Sequence, residues 1–285
     1  MTFTDYLKQK QHSGSTISTY SKYLDYFTSW LHQEQLSADV ISYTELLDFI
    51  RWLQSMNKSK ALINAILCPV RHYFNYLVSA GKRADNPATG LFMKGIIRRL
   101  PNNLLSQDEM IHLYECYNLQ LLVDASKKIM LGLFIHQGVT VEELKRLYVT
   151  DIYLKEGRVF ISGSSHSNER WLRLEAMQVL ELQAYIKANK FKEGPLLQEN
   201  KKRKASDNNI VNQVGGMMRQ LRQLNTKIID AKQIRSSVIT NWLKQYNLRQ
   251  VQYMAGHRYV SSTQRYKLSS MDDLQNALQQ YHPLK

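Results

Sequence analysis

The sequence predicts a mainly α-helical chain with a small antiparallel sheet, an α+β fold divided into two domains. Three observations predict it. Glycine and proline are scarce, 12 and 5 among 285 residues, so long helices meet few interruptions. Apolar residues recur at three- and four-residue steps along most of the chain, the period of a helix with one buried face. Only residues 151–162 and 171–174 break that period in favour of short extended runs.

In order along the chain, residues 15–32 place Ile17, Tyr20, Leu24, Phe27 and Leu31 on one helical face, with Ser15 positioned as an N-cap. Residues 43–55 and 60–80 repeat the pattern. In the second, Ile63, Ile66, Val70, Tyr73, Phe74 and Leu77 form a stripe that ends before Gly81. Their helical spacing favours a small helical core over a platform for stacking bases. These segments define a first domain over residues 1–90. Asn86-Pro87 then disfavours helix, and Gly90, Gly95 and Pro101 follow, with Lys94, Arg98 and Arg99 between them. Residues 91–104 therefore read as a basic linker.

The second domain, residues 105–285, opens with Ser106-Gln-Asp-Glu109, the spacing of a capping box. Helices are expected over 106–117, 121–136 and 141–148. Asp151 to Ser162 reads as two strands around a Lys155-Glu-Gly157 turn, and Trp171 to Leu174 as a third. Further helices follow over 175–188, 207–224, 236–246, 248–255 and 271–280. The run Lys201-Lys202-Arg203-Lys204 lies in a loop. It is either solvated or a phosphate contact.

Lysine and arginine number 38 against 24 acidic residues, a net charge of +14 that favours a polyanionic partner. The two cysteines, Cys68 and Cys116, are far apart and have no metal-ligand spacing, which excludes a disulfide framework and suits a reducing cytoplasm. No apolar run approaches the roughly 20 residues of a membrane span, and the N-terminus lacks the apolar core of a signal peptide. The expected location is cytoplasmic, on the nucleoid.

The chemistry-bearing residues cluster near the C-terminus. Lys232-Gln-Ile-Arg235 precedes Ala255-Gly256-His257 and Ser262-Thr263-Gln264-Arg265-Tyr266. Arg235 and His257 are 22 residues apart, and His257 and Tyr266 nine. In order and spacing these resemble the HxxR, LGH and nucleophile-tyrosine segments of the tyrosine recombinase (phage integrase) family. The resemblance covers nearly the whole chain. Thr16-Ile-Ser-Thr-Tyr20 is similar to the start of the family's core-binding domain, and Asn86-Pro87 to its interdomain box. Gly138-Val-Thr-Val-Glu-Glu143-Leu144 with Asp151-Ile152 resembles its first-arginine segment, and Gly163 to Arg170 its lysine hairpin.

The resemblance implies a helical, SAM-like DNA-binding domain followed by a catalytic domain that cuts and rejoins DNA strands through a phosphotyrosyl link. It implies Tyr266 as nucleophile, Arg235 as phosphate clamp, His257 as phosphate hydrogen-bond donor and Lys232 in the place of a histidine. Arginine suits the developing charge because it is planar, bidentate and always protonated. Exchange of one phosphoester for another needs neither metal nor nucleotide, so no cofactor is expected. The implied partner is double-stranded DNA, bound by a homotetramer that can exchange its C-terminal helices; the basic stretches themselves supply Lys94, Arg98, Arg99, Lys201, Lys202, Arg203 and Lys204 as candidate DNA contacts. Glu143 has a structural role by default, orienting a neighbouring basic group.

Two positions depart from the family pattern. Thr140 stands where the first arginine belongs, and Ser164 where the hairpin lysine belongs, in a hairpin about one residue longer. Arg170 and Arg173 are candidate substitutes for the arginine, and His166 for the lysine. The expected function is site-specific recombination, as in a mobile-element integrase or a chromosome-resolution enzyme. The alternative is an inactive or weakly active DNA-binding relative that assists an active partner.

Overall fold

The computed structural model describes residues 2–95, 103–121, 124–197 and 207–267. The chain divides into two compact units, residues 1–98 and 99–285.

The first unit contains four described helices: α1 (Phe3–Gln9), α2 (Gly14–Gln33), α3 (Tyr43–Ser55) and α4 (Lys60–Ser79). The spacing did not predict α1, whose seven residues are too few to show a period; a Thr2–Asp5 capping box starts it. Ser13 caps α2 by accepting from the Thr16 N–H, so the helix begins before Ser15, the expected cap. The aromatics make a core: Phe27, Phe49 and Phe74 are fully buried, with Phe27 centred 5.2 Å from Phe49 and 5.6 Å from Phe74. Leu91, at the head of the expected linker, belongs to the same core. The chain there is held to α4 by Arg71 Nη1 donating to Leu91 O at 2.7 Å and by Asn64, which pairs with both backbone groups of Met93.

The second unit surrounds α6 (Ala125–Gln137), whose residues Ile129 to Ile135 are all buried. A helix apolar on every side needs cover on every side, and α5 (Gln107–Leu121), α8 (Ala176–Ala188), α9 (Asp207–Leu224) and α10 (Ala231–Gln245) all pack on it. The capping box at Ser106 and Glu109 forms as its spacing predicted. Between α6 and α8 lie α7 (Val141–Lys145) and three strands: β1 (Ile152–Tyr153), β2 (Arg158–Ile161) and β3 (Arg170–Arg173). They form one antiparallel sheet in the order β1-β2-β3, with Phe160 opposite Trp171 and Ile161 opposite Arg170. Helix α7 is shorter than the expected 141–148 because the chain turns at Arg146 and enters a 3-10 turn by Val149. Helix α10 begins five residues before the expected 236, at the Asp230 cap. Helix α11 (Leu248–Ala255) and a helix over 260–267, which the spacing did not predict, complete the described chain.

Candidate active site

The ends of α6 and α11, the starts of α7 and β3 and the first turns of α10 converge in the second unit. Helix α6 ends at Gly138, in the left-handed conformation with φ 56°. Thr140 then caps α7: its Oγ1 accepts from the Glu143 N–H at 3.1 Å, and its own N–H donates to Glu143 Oε2 at 2.8 Å. This fixes Glu143, whose side chain is 2% exposed, pointing into the domain. Arg170, the first residue of β3, meets it from the sheet. Its Nη1 and Nη2 donate to the two carboxylate oxygens at 2.7 and 3.1 Å, and its Nε donates to Met254 O at 2.7 Å.

Arg235 stands one turn into α10. Its Nη2 donates to Ala255 O at 2.6 Å, and its Nη1 donates to Gly138 O and lies 3.8 Å from Glu143 Oε2. Helix α11 ends at Gly256, with φ 67°. A Cβ there would stand 2.4 Å from Arg170 Nη1, so this close approach requires glycine. His257 follows, hydrogen-bonded through Nδ1 to the Thr263 hydroxyl at 2.8 Å and stacked on Tyr266 with ring centroids 5.9 Å apart. Tyr266 is buried at 6% exposure.

The electrostatics follow from this burial. Desolvation alone would push the Glu143 carboxyl up, but the Arg170 hydrogen bonds and charge, then Arg235, outweigh it and hold its pKa below the usual carboxylate range. Burial pulls the Arg235 pKa down, opposed by Glu143, yet an arginine remains protonated. His257 is pulled down to about 4, first by burial and then by Arg235, Arg170 and Arg265, so it is neutral at pH 7. One carboxylate thus faces two internal arginines and leaves an excess of positive charge beside a neutral imidazole and a tyrosine. Such a pocket is suited to holding a phosphate.

The structure brings Arg235, His257 and Tyr266 together. Lys232 is exposed on the first turn of α10, three residues before Arg235 and therefore on the same helix side. Arg170 lies beneath the cluster, its side chain 0% exposed. Arg173 projects from the opposite sheet face, with Trp171 and Phe160. The Ser164–Ser167 segment closes a turn in which Ser164 N donates to Ser167 O at 2.8 Å and Ser164 Oγ accepts from the N–H groups of His166 and Ser167. That turn docks on the chain after α11: Ser167 bridges His257, and Asn168 N donates to Gly256 O at 2.9 Å. His166 is exposed at its tip.

Lys94 is exposed at the end of the first unit's described chain. Arg98, Arg99, Lys201, Lys202, Arg203, Lys204 and the expected 271–280 helix lie outside the described residues. The sequence reading missed Arg265. Its guanidinium carbon is 5.5 Å from the Tyr266 ring centroid, and adjacency to that tyrosine was the available signal. Among the described residues no helix is long and apolar enough to cross a membrane, and no group of three or more His, Cys, Asp or Glu side chains could hold a metal ion.

A helical first unit, a second unit with a three-stranded sheet and an arginine–histidine–tyrosine cluster define a class of DNA strand-exchange folds, and comparison with known proteins places the chain within it. Residues 103–272 match the phage integrase family, and residues 1–81 match the N-terminal SAM-like domain of phage integrases. The chain therefore belongs to the phage integrase family, the tyrosine recombinases. It is 29% identical to tyrosine recombinase XerD of Oceanobacillus iheyensis, over 95% of this chain and 93% of that protein. It is 25% identical to XerC of the same organism, over 99% and 95%. Among solved structures it resembles the XerH site-specific recombinase bound to its difH substrate, with a TM-score of 0.69 and 17% identity over 96% of this chain and 84% of that one. A lambda integrase dimer on a core site gives 0.65 at 14% identity, covering 94% and 75%.

Proposed function

We propose that this protein is a site-specific DNA recombinase that cuts and rejoins duplex DNA through a covalent bond to Tyr266. The observation that carries the reading is the contact of Tyr266 with His257, which in turn lies beside Arg235 on the buried Glu143–Arg170 pair.

In the forward step the Tyr266 oxygen bonds to phosphorus as the bond from phosphorus to the 5′-oxygen breaks. The phenol loses its proton and the departing 5′-oxygen gains one, so one phosphoester replaces another. The reverse attack by a 5′-hydroxyl of a second strand completes exchange. Arg235 carries a full charge and holds the nonbridging oxygens. In the tautomer in which the Thr263 hydroxyl donates to Nδ1, His257 carries its proton on Nε2 and donates a neutral hydrogen bond to the phosphate. Lys232 and His166 are both exposed and carry a transferable proton, and they serve the leaving oxygen. Tyr266 is largely covered in the free protein, so DNA binding must uncover it.

The basic surplus, with Lys94 and the basic stretches on either side of the second unit's first helices, supports duplex DNA as the partner. Family membership supports assembly as a homotetramer on two sites, with C-terminal helix exchange, and action in the cytoplasm on the nucleoid. Integration of a mobile element and resolution of chromosomes use the same chemistry.

Tyr266→Phe tests the reading. It removes one hydroxyl, so folding and DNA affinity remain, while the protein–DNA adduct trapped on a nicked duplex disappears. A second reading, a DNA-binding relative without activity, is favoured by Thr140, whose hydroxyl is committed to capping α7. Wild-type protein that binds its site tightly yet never forms the adduct would establish that second reading instead.

A further inference from the structure

Resting on the recombinase reading, we propose that Arg265 is a catalytic residue that supplies the phosphate-binding guanidinium missing at Thr140. The other arginines of the site are already committed. Arg170 has both terminal nitrogens on Glu143 and its Nε on Met254 O, with no exposed side-chain surface. Arg173 belongs to the far face of the sheet. Arg235 fills the one clamp position that the motif retains.

Arg265 differs in three respects. Its Nε is buried and has no hydrogen-bond partner among the described residues. An unsatisfied buried donor is costly, and in a native structure it calls for a reason such as a water, a ligand or a catalytic role. No carboxylate pairs with its guanidinium among the described residues, although Glu143 sits within the same cluster. Finally, it lies where the chemistry occurs: its guanidinium carbon is 5.5 Å from the Tyr266 ring centroid, and its charge is one of those that depress the His257 pKa. Phosphorus bonded to the Tyr266 oxygen would carry its nonbridging oxygens between Arg235 and Arg265. The cation lost from the end of α6 is thereby restored from the helix over 260–267, beside the nucleophile itself. Because it travels with Tyr266, it arrives only when the nucleophile is docked.

The test uses the full chain and a duplex that the chain itself selects from a random-sequence pool. That duplex is rebuilt as a nicked substrate with either a phosphodiester or a charge-neutral methylphosphonate at the cleaved link. Arg265→Gln is expected to slow adduct formation on the phosphodiester by on the order of 10²–10³ with duplex affinity unchanged. On the methylphosphonate the deficit should largely vanish, because a neutral centre no longer needs that cation. Arg265→Lys should fall between. A wild-type rate for Arg265→Gln on the phosphodiester overturns the proposal. So does an equal deficit on both links, which marks a structural role, as does a variant that no longer binds the duplex while Arg265→Lys cleaves at the Arg265→Gln rate. Absence of an adduct from wild-type protein overturns the recombinase reading itself, and this proposal with it, and is separated from the other outcomes by the wild-type lane.

Discussion

At the scale of single residues, the site is organised by one buried carboxylate. Glu143 receives two hydrogen bonds from Arg170, stands near Arg235 and is held by the Thr140 backbone. Removing one partner of a buried ion pair leaves the other charge uncompensated, which costs about 3–5 kcal/mol. Glu143→Ala should therefore lower unfolding stability by about that amount in urea titration, and an unchanged midpoint would contradict the buried arrangement. His257 carries a pH dependence. Its pKa falls from an ordinary 6.5 to about 4, so between these values the unfolded chain binds a proton that the folded one refuses. Stability contributed by neutral His257 is thus full above about pH 6.5 and lost as pH falls towards 4. His257→Gln should flatten the stability profile across that window. Thr140→Arg sets two local effects against each other. Loss of the cap costs about 1 kcal/mol, while a clamp cation added to Arg235 and Arg265 should raise the adduct rate. A lower midpoint with faster cleavage is expected, and no gain in rate would show that position 140 no longer faces the phosphate.

Elements place these residues by where they stop. Gly138 and Gly256 end α6 and α11 with left-handed backbone, and both lie against the cluster. At Gly256 the requirement is double: a positive φ, and a Cβ position only 2.4 Å from Arg170 Nη1. A left-handed alanine costs about 1–2 kcal/mol, and displacing a guanidinium held by a buried carboxylate adds to that. Gly256→Ala should therefore destabilise by about 2 kcal/mol or more and disturb His257, the next residue. Wild-type stability and an unchanged His257 pKa by NMR would refute this. The hairpin shows what spacing can and cannot reveal. The spacing did not reveal that the Ser164–Ser167 turn closes on its own hydroxyls and bridges His257, a contact about 90 residues distant in sequence. The early start of α10 was hidden for a similar reason. The pattern Ala231 to Arg235 mixes polar and apolar residues, and only the Asp230 side chain, which accepts from Gln233 N at 2.7 Å, marks the turn that carries Lys232 and Arg235.

For the whole molecule, net charge sets the interaction. A surplus of +14 predicts DNA affinity that falls steeply with salt, with a log–log slope near −0.9 per phosphate neutralised. Lys94→Ala in the full chain should reduce the slope magnitude by about one contact and weaken all duplexes alike, because a phosphate contact carries no sequence information. An unchanged slope would remove Lys94 from the interface. The same surplus explains why the nucleophile's surroundings are not neutralised: the 24 acidic residues are too few to pair with the 38 basic ones.

The sequence by itself determined the helical character, the two-part division, the short sheet and the family. It also supplied the register of Arg235, His257 and Tyr266, because these are properties of local period, turn chemistry and motif order. Tertiary structure decided which charges are free. Arg170, Arg173 and Arg265 are equivalent as letters. One is buried against Glu143, one faces away across the pleat, and one stands beside Tyr266 with no carboxylate partner among the described residues. That sorting depends on strand parity, on a glycine that lets α11 approach a guanidinium, and on a carboxylate held by its own helix cap. Strand parity and the Thr140 cap are local; what no window of sequence contains is the meeting of Arg170 with Glu143, 27 residues before it, and with Gly256, 86 residues after it.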